Sequence, residues 1–384
     1  MSHVGCPLRV AILCEFESVN GGERSLLAML DALQVGVDPV VFAPPAGRLA
    51  DELAKRRLTH QVFNVRDADG RRRPSTELLA ELAMLINRHR PDLVHANSLA
   101  MARLTGELPS QPGLHRTAHL RDIVKLSNAA VRAINGNDRV IAVSQATADF
   151  HQAQGVDPTR LTVLHNGVVL DEFRPCRSRA ERDGLRTRCG WRHEDFVVMS
   201  VGQIGMRKGL DVLIEAAGPL LRDDPRMRLW LVGERYSQKA EAVEFEQRLV
   251  RRQDEIGATA QVDWTGYRSD VSELMRGADL LVHAARQEPF GRVLLEAAAT
   301  GMPIIATAAG GTRELLTAGE SALIVPVGDV DSLRGAIARC RDDAALRERL
   351  GVAARRRVEQ EFSIDSQAPK LLRLWQATVA GESS

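Results

Sequence analysis

Short apolar runs and longer amphipathic stretches alternate from the start of the chain. "RVAILC" (9–14) is followed by "GERSLLAMLDAL" (22–33), "PVVFAP" (39–44) and "GRLADELAKR" (47–56). Apolar runs of this length read as strands buried on both faces, and segments with apolar residues three and four apart read as helices that cover them. The alternation continues through "STELLAELAMLINRH" (75–89), "DLVHAN" (92–97), "HRTAHL" (115–120), "RVIAVS" (139–144) and "LTVLHNGV" (161–168). It predicts a parallel sheet with helices on both sides.

The rhythm lapses in the polar, arginine-rich "DEFRPCRSRAERDGLRTRCGW" (171–191) and restarts with "FVVMSVGQI" (196–204). The domain boundary is placed there. "RLWLVG", "AQVDWTG", "DLLVHAA", "PIIAT" and "SALIVPV" then mark strands of a second sheet, separated by amphipathic stretches such as "GLDVLIEAAGPLL". The prediction is two doubly wound α/β domains in series. Ligands of such sheets sit outside the carboxyl ends of the strands, so chemistry is sought in the loops that follow strands.

Composition narrows the choice only a little. A chain of 384 residues, 44% hydrophobic and 26% charged, has the make-up of a soluble two-domain protein. A net charge of +1 gives no reason to expect nucleic acid, and the basic runs Lys55-Arg56-Arg57 and Arg71-Arg72-Arg73 read as solvated loops. Cys6, Cys14, Cys176, Cys189 and Cys340 are scattered, with no CxxC pair and no zinc-site spacing, as expected of reduced thiols in a cytoplasmic protein. The opening "MSHVGCPLRVAILCEF" lacks the basic segment and long apolar core of a leader, and no stretch approaches the ~18 apolar residues of a spanning helix.

Four loops carry candidate chemistry. Asn20-Gly21-Gly22 leads from the first strand into a helix, where glycines and a helix N-terminus suit a phosphate; the alternative is a plain turn, and GxGxxG is absent. "VGQIGMRKGLDVL" (201–213) holds the equivalent place in the second domain and adds Arg207 and Lys208, cations suited to a diphosphate or, in isolation, simply solvated. In "QEPFGRVLLEAAATG" (287–301), Glu288 precedes a helix starting near Gly291, and Glu296 lies within it. Pro289 and Gly291 expose the N–H groups of Gly291, Arg292 and Val293 to an anion. A helix continuous between the glutamates would set their Cα atoms about 12 Å apart, suited to the two ends of one extended ligand. The plainer alternative makes Glu288 a dipole partner and Glu296 a surface residue. The small apolar run after Glu296 reads as buried, however, so its carboxylate needs a partner, which ligand hydroxyls would supply. In "ATAAGGTRELL" (306–316), Glu314 reads as a helix cap.

Together, E-x7-E, "GGTRE", "GQIGMRKG" and "NGGER", with "VLHNGVVLDEF" before the boundary and "APKLLRLWQATV" near the end, resemble the retaining glycosyltransferases of the GT-B fold, family GT4. The resemblance runs along almost the whole chain. It implies two Rossmann-like domains facing a cleft. Residues 1–172 would serve the acceptor, with a helix over 366–384 crossing back onto them, and residues 190–365 the nucleotide-sugar donor. It also implies transfer of a sugar from a nucleotide diphosphate with retention of configuration. On that basis Glu296 binds the ribose hydroxyls, Glu288 the transferred sugar, and Arg207 and Lys208 the departing diphosphate. Gly21, Gly22 and the N–H groups of Gly291, Arg292 and Val293 add contacts to the donor.

His119, in "TAHLRD", matches the histidine such enzymes place near the reacting sugar, and is assigned to positioning or polarising it in preference to a structural role. His95 is read as a core residue or as one that supports the site from the layer behind it, and Asp122 as an orienter of the acceptor. No protein nucleophile is implied: the leaving phosphate accepts the acceptor's proton. The resemblance implies no metal and no cofactor beyond the nucleotide sugar. Gly202-Gln203 replaces the Gly-Arg that is frequent in the family, which removes one cation, with Arg207 as its substitute.

The base is placed near Gly233, Tyr267 and Arg268, with UDP favoured over GDP by family frequency. Glu15 and Glu17 in "CEFES" are placed at the acceptor mouth, where they suit an amine or else cap Arg24. Aromatic content of 4% and the lack of a basic amphipathic helix favour a small soluble acceptor over a membrane lipid. A hydrolysing sugar-nucleotide epimerase is the main rival and would act on donor alone. A noncatalytic binder is disfavoured by the glutamates and the cation pair, and a nicotinamide dehydrogenase by the missing fingerprint.

Overall fold

In the computed structural model, which describes residues 7–382, the apolar runs form parallel strands. Cys6, the beginning of the expected leaderless N-terminus and the last two residues of the expected helix 366–384 lie outside the described residues. The chain divides into two compact units, residues 1–167 with 364–384, and residues 168–363.

The first unit begins β1 (Leu8–Leu13), α1 (Gly21–Ala32), β2 (Val37–Ala43), α2 (Arg48–Lys55), β3 (Thr59–Val62) and α3 (Ser75–His89). It continues β4 (Leu93–Ala96), α4 (Leu99–Gly106), β5 (His115–Leu120), α5 (Asn128–Ile134), β6 (Arg139–Ala142), α6 (Gln145–Gln152) and β7 (Leu161–Val163). The seven strands run in the order β3-β2-β1-β4-β5-β6-β7. Val10, Ala11, Ile12 and Leu13 of β1 are fully buried, as a central strand covered on both faces requires. In register, Ile12 lies opposite Val41 on one side and His95 on the other.

The second unit holds α7 (Arg179–Arg188), β8 (Phe196–Val201), α8 (Leu210–Asp223), β9 (Met227–Val232), α9 (Ala240–Ile256), β10 (Val262–Gly266), α10 (Val271–Gly277) and β11 (Leu280–His283). Then come α11 (Arg292–Ala299), β12 (Ile304–Thr307), α12 (Thr312–Leu315), β13 (Leu323–Val325), α13 (Val330–Asp342) and α14 (Ala344–Glu361). Its six strands run β10-β9-β8-β11-β12-β13. In both sheets the winding reverses beside the first strand, at β1/β4 and at β8/β11, which opens a crevice beyond the carboxyl ends of those strands.

One segment differs from the sequence reading. The arginine-rich stretch expected as a boundary contains α7, whose N-terminus is capped by Ser178 Oγ accepting from Glu181 N. It buries only Leu185 and Arg186, and its neighbours hold it mainly by charge: Arg186 Nη1 lies 3.0 Å from Asp279, and Arg276 Nη1 2.7 Å from Glu181. Such a helix carries no hydrophobic period to read. The last helix, α15 (Ile364–Val379), belongs to the first unit, where Trp375 is fully buried. Its end is fastened by Arg139, which donates from Nε to Thr378 Oγ1 at 3.1 Å and from Nη2 to Glu382 O at 2.9 Å. Among the described residues no helix is long and apolar enough to cross a membrane.

Candidate active site

The loop that leaves β8 closes into a single tight turn over Met206–Lys208 before Gly209 starts α8. Gly209 has φ +64°, and a Cβ there would lie 2.0 Å from Ala284 O, so only glycine lets this turn sit against the end of β11. Arg286, in the loop after β11, clamps the turn. Its N–H donates to Arg207 O at 2.8 Å and its Nη1 to Met206 O at 3.0 Å. The rest of the guanidinium forms a two-pronged pair with Asp211 at 2.7 and 2.6 Å. The Arg207 side chain is exposed, whereas Lys208 points inward.

Lys208 Nζ and His283 Nε2 each lie 2.7 Å from Glu288 Oε2, and among the described residues no hydrogen bond reaches Oε1. Burial alone would push the Glu288 carboxyl up, but Lys208 and His283 outweigh it and hold the group far below the usual carboxylate range. Burial, followed by the charge of Lys208, lowers the proton affinity of His283, so the ring is neutral and must carry its hydrogen on Nε2 to face a carboxylate. The backbone of Glu288 is fixed as well, since its carbonyl accepts from Gly311 N at 3.0 Å, which brings in the "GGTRE" loop.

The helix is not continuous from Glu288 to Glu296: α11 starts at Arg292 after Gly291, and the 12 Å estimate therefore does not apply. Gly291, Arg292 and Val293 stand at the start of α11, where the helix dipole favours an anion. Glu296 is buried, as its small neighbours predict, but its partner belongs to the chain: Arg292 Nε donates to Oε1 at 2.7 Å. Beyond β9, an added Cβ on Gly233 would lie 1.9 Å from Gly202 O, so backbone alone lines this point. Tyr267 is half-buried, and Arg268 is tied to Asp270 at 2.6 Å. Gln203, at the departure from Gly-Arg, lines a small pocket with Ser200, Lys208 and His283.

In the first unit a buried polar cluster caps β1, β4 and β5. Arg121 donates to Asn97 Oδ1 at 3.1 Å, to Asn166 Oδ1 at 2.9 Å and to His119 Nδ1 at 3.1 Å. His119 Nδ1 is thus an acceptor, and its Nε2 carries the hydrogen, buried and with no partner among the described residues. Burial, with Arg121 and His95 beside it, holds His119 well below the ordinary histidine range, so the ring stays neutral. His95 is set the same way round: Thr117 Oγ1 at 2.8 Å and Trp375 Nε1 at 3.3 Å both reach its Nδ1, and the two histidine rings meet edge-on at 5.9 Å. Gly22 packs under Arg121, and Gly21 beside it faces open space. Glu23 folds back to accept from Asn20 N at 3.1 Å, and burial raises its carboxyl.

The structure therefore gathers Glu288 with Lys208, and Glu296 with Arg292, and it places His119 and Gly22 around one arginine. Of the three residues assigned to the acceptor, Glu15 and Asp122 lie near enough to interact: burial first, and the charge of Asp122 as a smaller cause, raise the Glu15 carboxyl. Glu15 is nearly buried and paired with Arg72 at 3.2 Å, not with Arg24. Glu17 is exposed, and its carbonyl accepts from Leu49 N at the start of α2. The side chain of Asp122 is exposed, while its carbonyl accepts from His151 Nε2 at 2.8 Å. Sequence reasoning missed His283, Arg286 and Arg121. Each stands at or just after a strand's carboxyl end, which is the one signal that marked them. Among the described residues there is no group of three or more His, Cys, Asp or Glu placed to share a metal ion.

A model of the family described as Glycosyl transferases group 1 matches residues 181–357, and one described as Glycosyltransferase Family 4 matches residues 19–172. The D-inositol 3-phosphate glycosyltransferase of Thermomonospora curvata is 26% identical, covering 86% of this chain and 83% of the relative. That of Geodermatophilus obscurus is 30% identical, covering 82% and 73%. Among solved structures, Anabaena Alr3699/HepE in complex with UDP-glucose is similar at a TM-score of 0.83 and 24% identity, over 96% of this chain and all of its own. The two parallel-sheet units match that architecture.

Proposed function

From the premise that the chain belongs to the GT4-type glycosyltransferases of the GT-B fold, we propose that it moves a sugar from a UDP-sugar to a hydroxyl of a small soluble acceptor, with retention of configuration. The observation that carries this reading is the carboxylate of Glu288, held by Lys208 and His283 through Oε2 with Oε1 left for a ligand. In the proposed site Oε1 accepts from a hydroxyl of the transferred sugar, and Glu296 accepts from the ribose hydroxyls. Lys208, Arg207 and the N–H groups at the start of α11 meet the diphosphate. Gly233 gives the base a wall of bare backbone.

As the bond from the anomeric carbon to the phosphate oxygen breaks, negative charge grows on the diphosphate, and fixed cations and dipoles stabilise it without reorganising. The acceptor oxygen bonds to the same face of the anomeric carbon and gives its proton to the leaving phosphate. His119 offers Nε2–H as a neutral donor to the reacting sugar, a task for which a ring kept unprotonated is suited. Because protein cations carry the charge stabilisation, activity is proposed to persist in EDTA.

UDP is supported by the complex of Anabaena Alr3699/HepE with UDP-glucose. The names of two relatives make D-inositol 3-phosphate the first acceptor to try. An amine-bearing acceptor at Glu15 is less well supported, because Arg72 already engages that carboxylate. Calorimetric titration with UDP and GDP in EDTA, on wild type and Glu296→Ala, tests the donor site. Binding of UDP that weakens about tenfold in the variant is expected, and binding of neither nucleotide by wild type overturns the reading. Release of UDP from the donor with no acceptor present would favour the hydrolysing epimerase, and transfer only to a lipid in vesicles would favour a membrane acceptor.

A further inference from the structure

We propose that His283 is the positioning residue that keeps Glu288 aimed at the transferred sugar while Lys208 changes partners on donor binding. The inference rests on the donor-site reading above. Lys208 and His283 share one oxygen of Glu288, yet they differ in mobility. Lys208 is a point charge on a flexible four-carbon stem, rooted in the tight turn before α8. His283 is the last residue of β11 and is 3% exposed, on a short side chain rooted in the sheet backbone.

A diphosphate offers several anionic oxygens to an ammonium that otherwise serves one carboxylate, so Lys208 is drawn toward it. Were Lys208 its only donor, the buried carboxylate would then be free to turn and would lose compensation for its burial. The Nε2–H of His283 prevents both. It stays on Oε2 and so leaves Oε1 facing the ligand, whichever way Lys208 points. The clamp on the Glu288 backbone from Gly311 N removes the remaining freedom. On this account the two donors on Oε2 divide the work: one travels with the phosphates, and the other stays.

A ring that merely fills the core would matter equally for nucleotide and sugar; a ring that aims Glu288 matters for the sugar alone. The test uses the full chain in EDTA, titrated calorimetrically with UDP, UDP-glucose, UDP-galactose and UDP-N-acetylglucosamine, on wild type, His283→Ala and His283→Gln. Thermal melting of each variant shows that it is folded. Wild type is expected to bind one UDP-sugar more tightly than UDP. His283→Ala should bind UDP within about twofold of wild type but lose about tenfold for that UDP-sugar, and His283→Gln, with an amide N–H in reach of Oε2, should recover most of the loss. The proposal is overturned if His283→Ala keeps the sugar's contribution, if it loses UDP and UDP-sugar equally, or if His283→Gln is no better than His283→Ala. It is also overturned if wild type binds no UDP-sugar more tightly than UDP. Wild type that binds no UDP at all overturns the donor reading itself.

Discussion

Arg292 and Glu296 stand one helical turn apart on α11, joined from Nε to Oε1 at 2.7 Å with both side chains nearly buried. The pair aims the glutamate before any ligand arrives. Glu296→Ala removes both the proposed ribose acceptor and the carboxylate partner of Arg292. UDP affinity should fall about tenfold or more, and the melting temperature should drop too. Glu296→Gln, which still accepts from Arg292, should melt closer to wild type. Calorimetry and thermal melting, run side by side on the two variants, check this.

Lys208 and Glu288 form a buried ion pair, and breaking such a pair from one side costs more than removing it. Lys208→Met is expected to destabilise the second unit by about 3–5 kcal/mol, because it leaves a buried carboxylate with His283 as its one donor. The double variant Lys208→Met/Glu288→Gln should be more stable than Lys208→Met alone. Denaturant unfolding of the two single variants and the double variant closes the cycle, and additive losses would refute the coupling.

Arg286 and Asp211 are both partly exposed, so their ion pair by itself contributes at most about 1 kcal/mol. Arg286 matters through the carbonyls it holds. Arg286→Ala frees the turn that carries Arg207 and Lys208, and UDP affinity should fall by a factor of about five to ten while the melting temperature barely moves. Unchanged affinity would mean that the turn holds its shape without Arg286.

The first unit should lose stability as pH falls from neutrality. His95 is held down at about 3 by burial and then Arg121, and His119 is also lowered. Both rings refuse protons in the folded state that the unfolded chain takes up below its ordinary pKa of about 6.5. Stability is therefore complete above that pH and is lost below it, by up to about 1.4 kcal/mol per pH unit for each histidine. Buried Glu15 and Glu23, whose carboxyls are raised, work in the opposite direction nearer their own range. His95→Gln keeps an acceptor for Trp375 and should flatten the dependence of melting temperature on pH between 7 and about 5.

Both sheets were legible because their central strands are apolar on both faces. "HRTAHL" and "STELLAELAMLINRH" coincide with β5 and α3 residue for residue. What escaped notice had no such period. β3 is a half-exposed edge strand, and α7 is held by arginines and carboxylates. The site followed the same division. Glu288 and Lys208 sit beside glycine-rich loops and Glu296 in the helix that follows one, and glycines and spacing mark all three. His283 reads as one more residue of a buried strand, and Arg286 as a surface cation, until the fold brings the loops after β8 and β11 together. Charge pairing across 75 or 80 positions, as between Arg286 and Asp211 or Lys208 and Glu288, has no local signature.

The placement of α15 in the first unit reaches beyond the finished structure. During synthesis, residues 168–363 emerge as an unbroken piece and can close their own core, while the first unit, although translated earlier, waits for its final helix. The usual order of vectorial folding is thereby reversed: the half that begins the chain is the last to be completed. Until Trp375 is made, the first unit lacks the side chain that reaches His95 from Nε1.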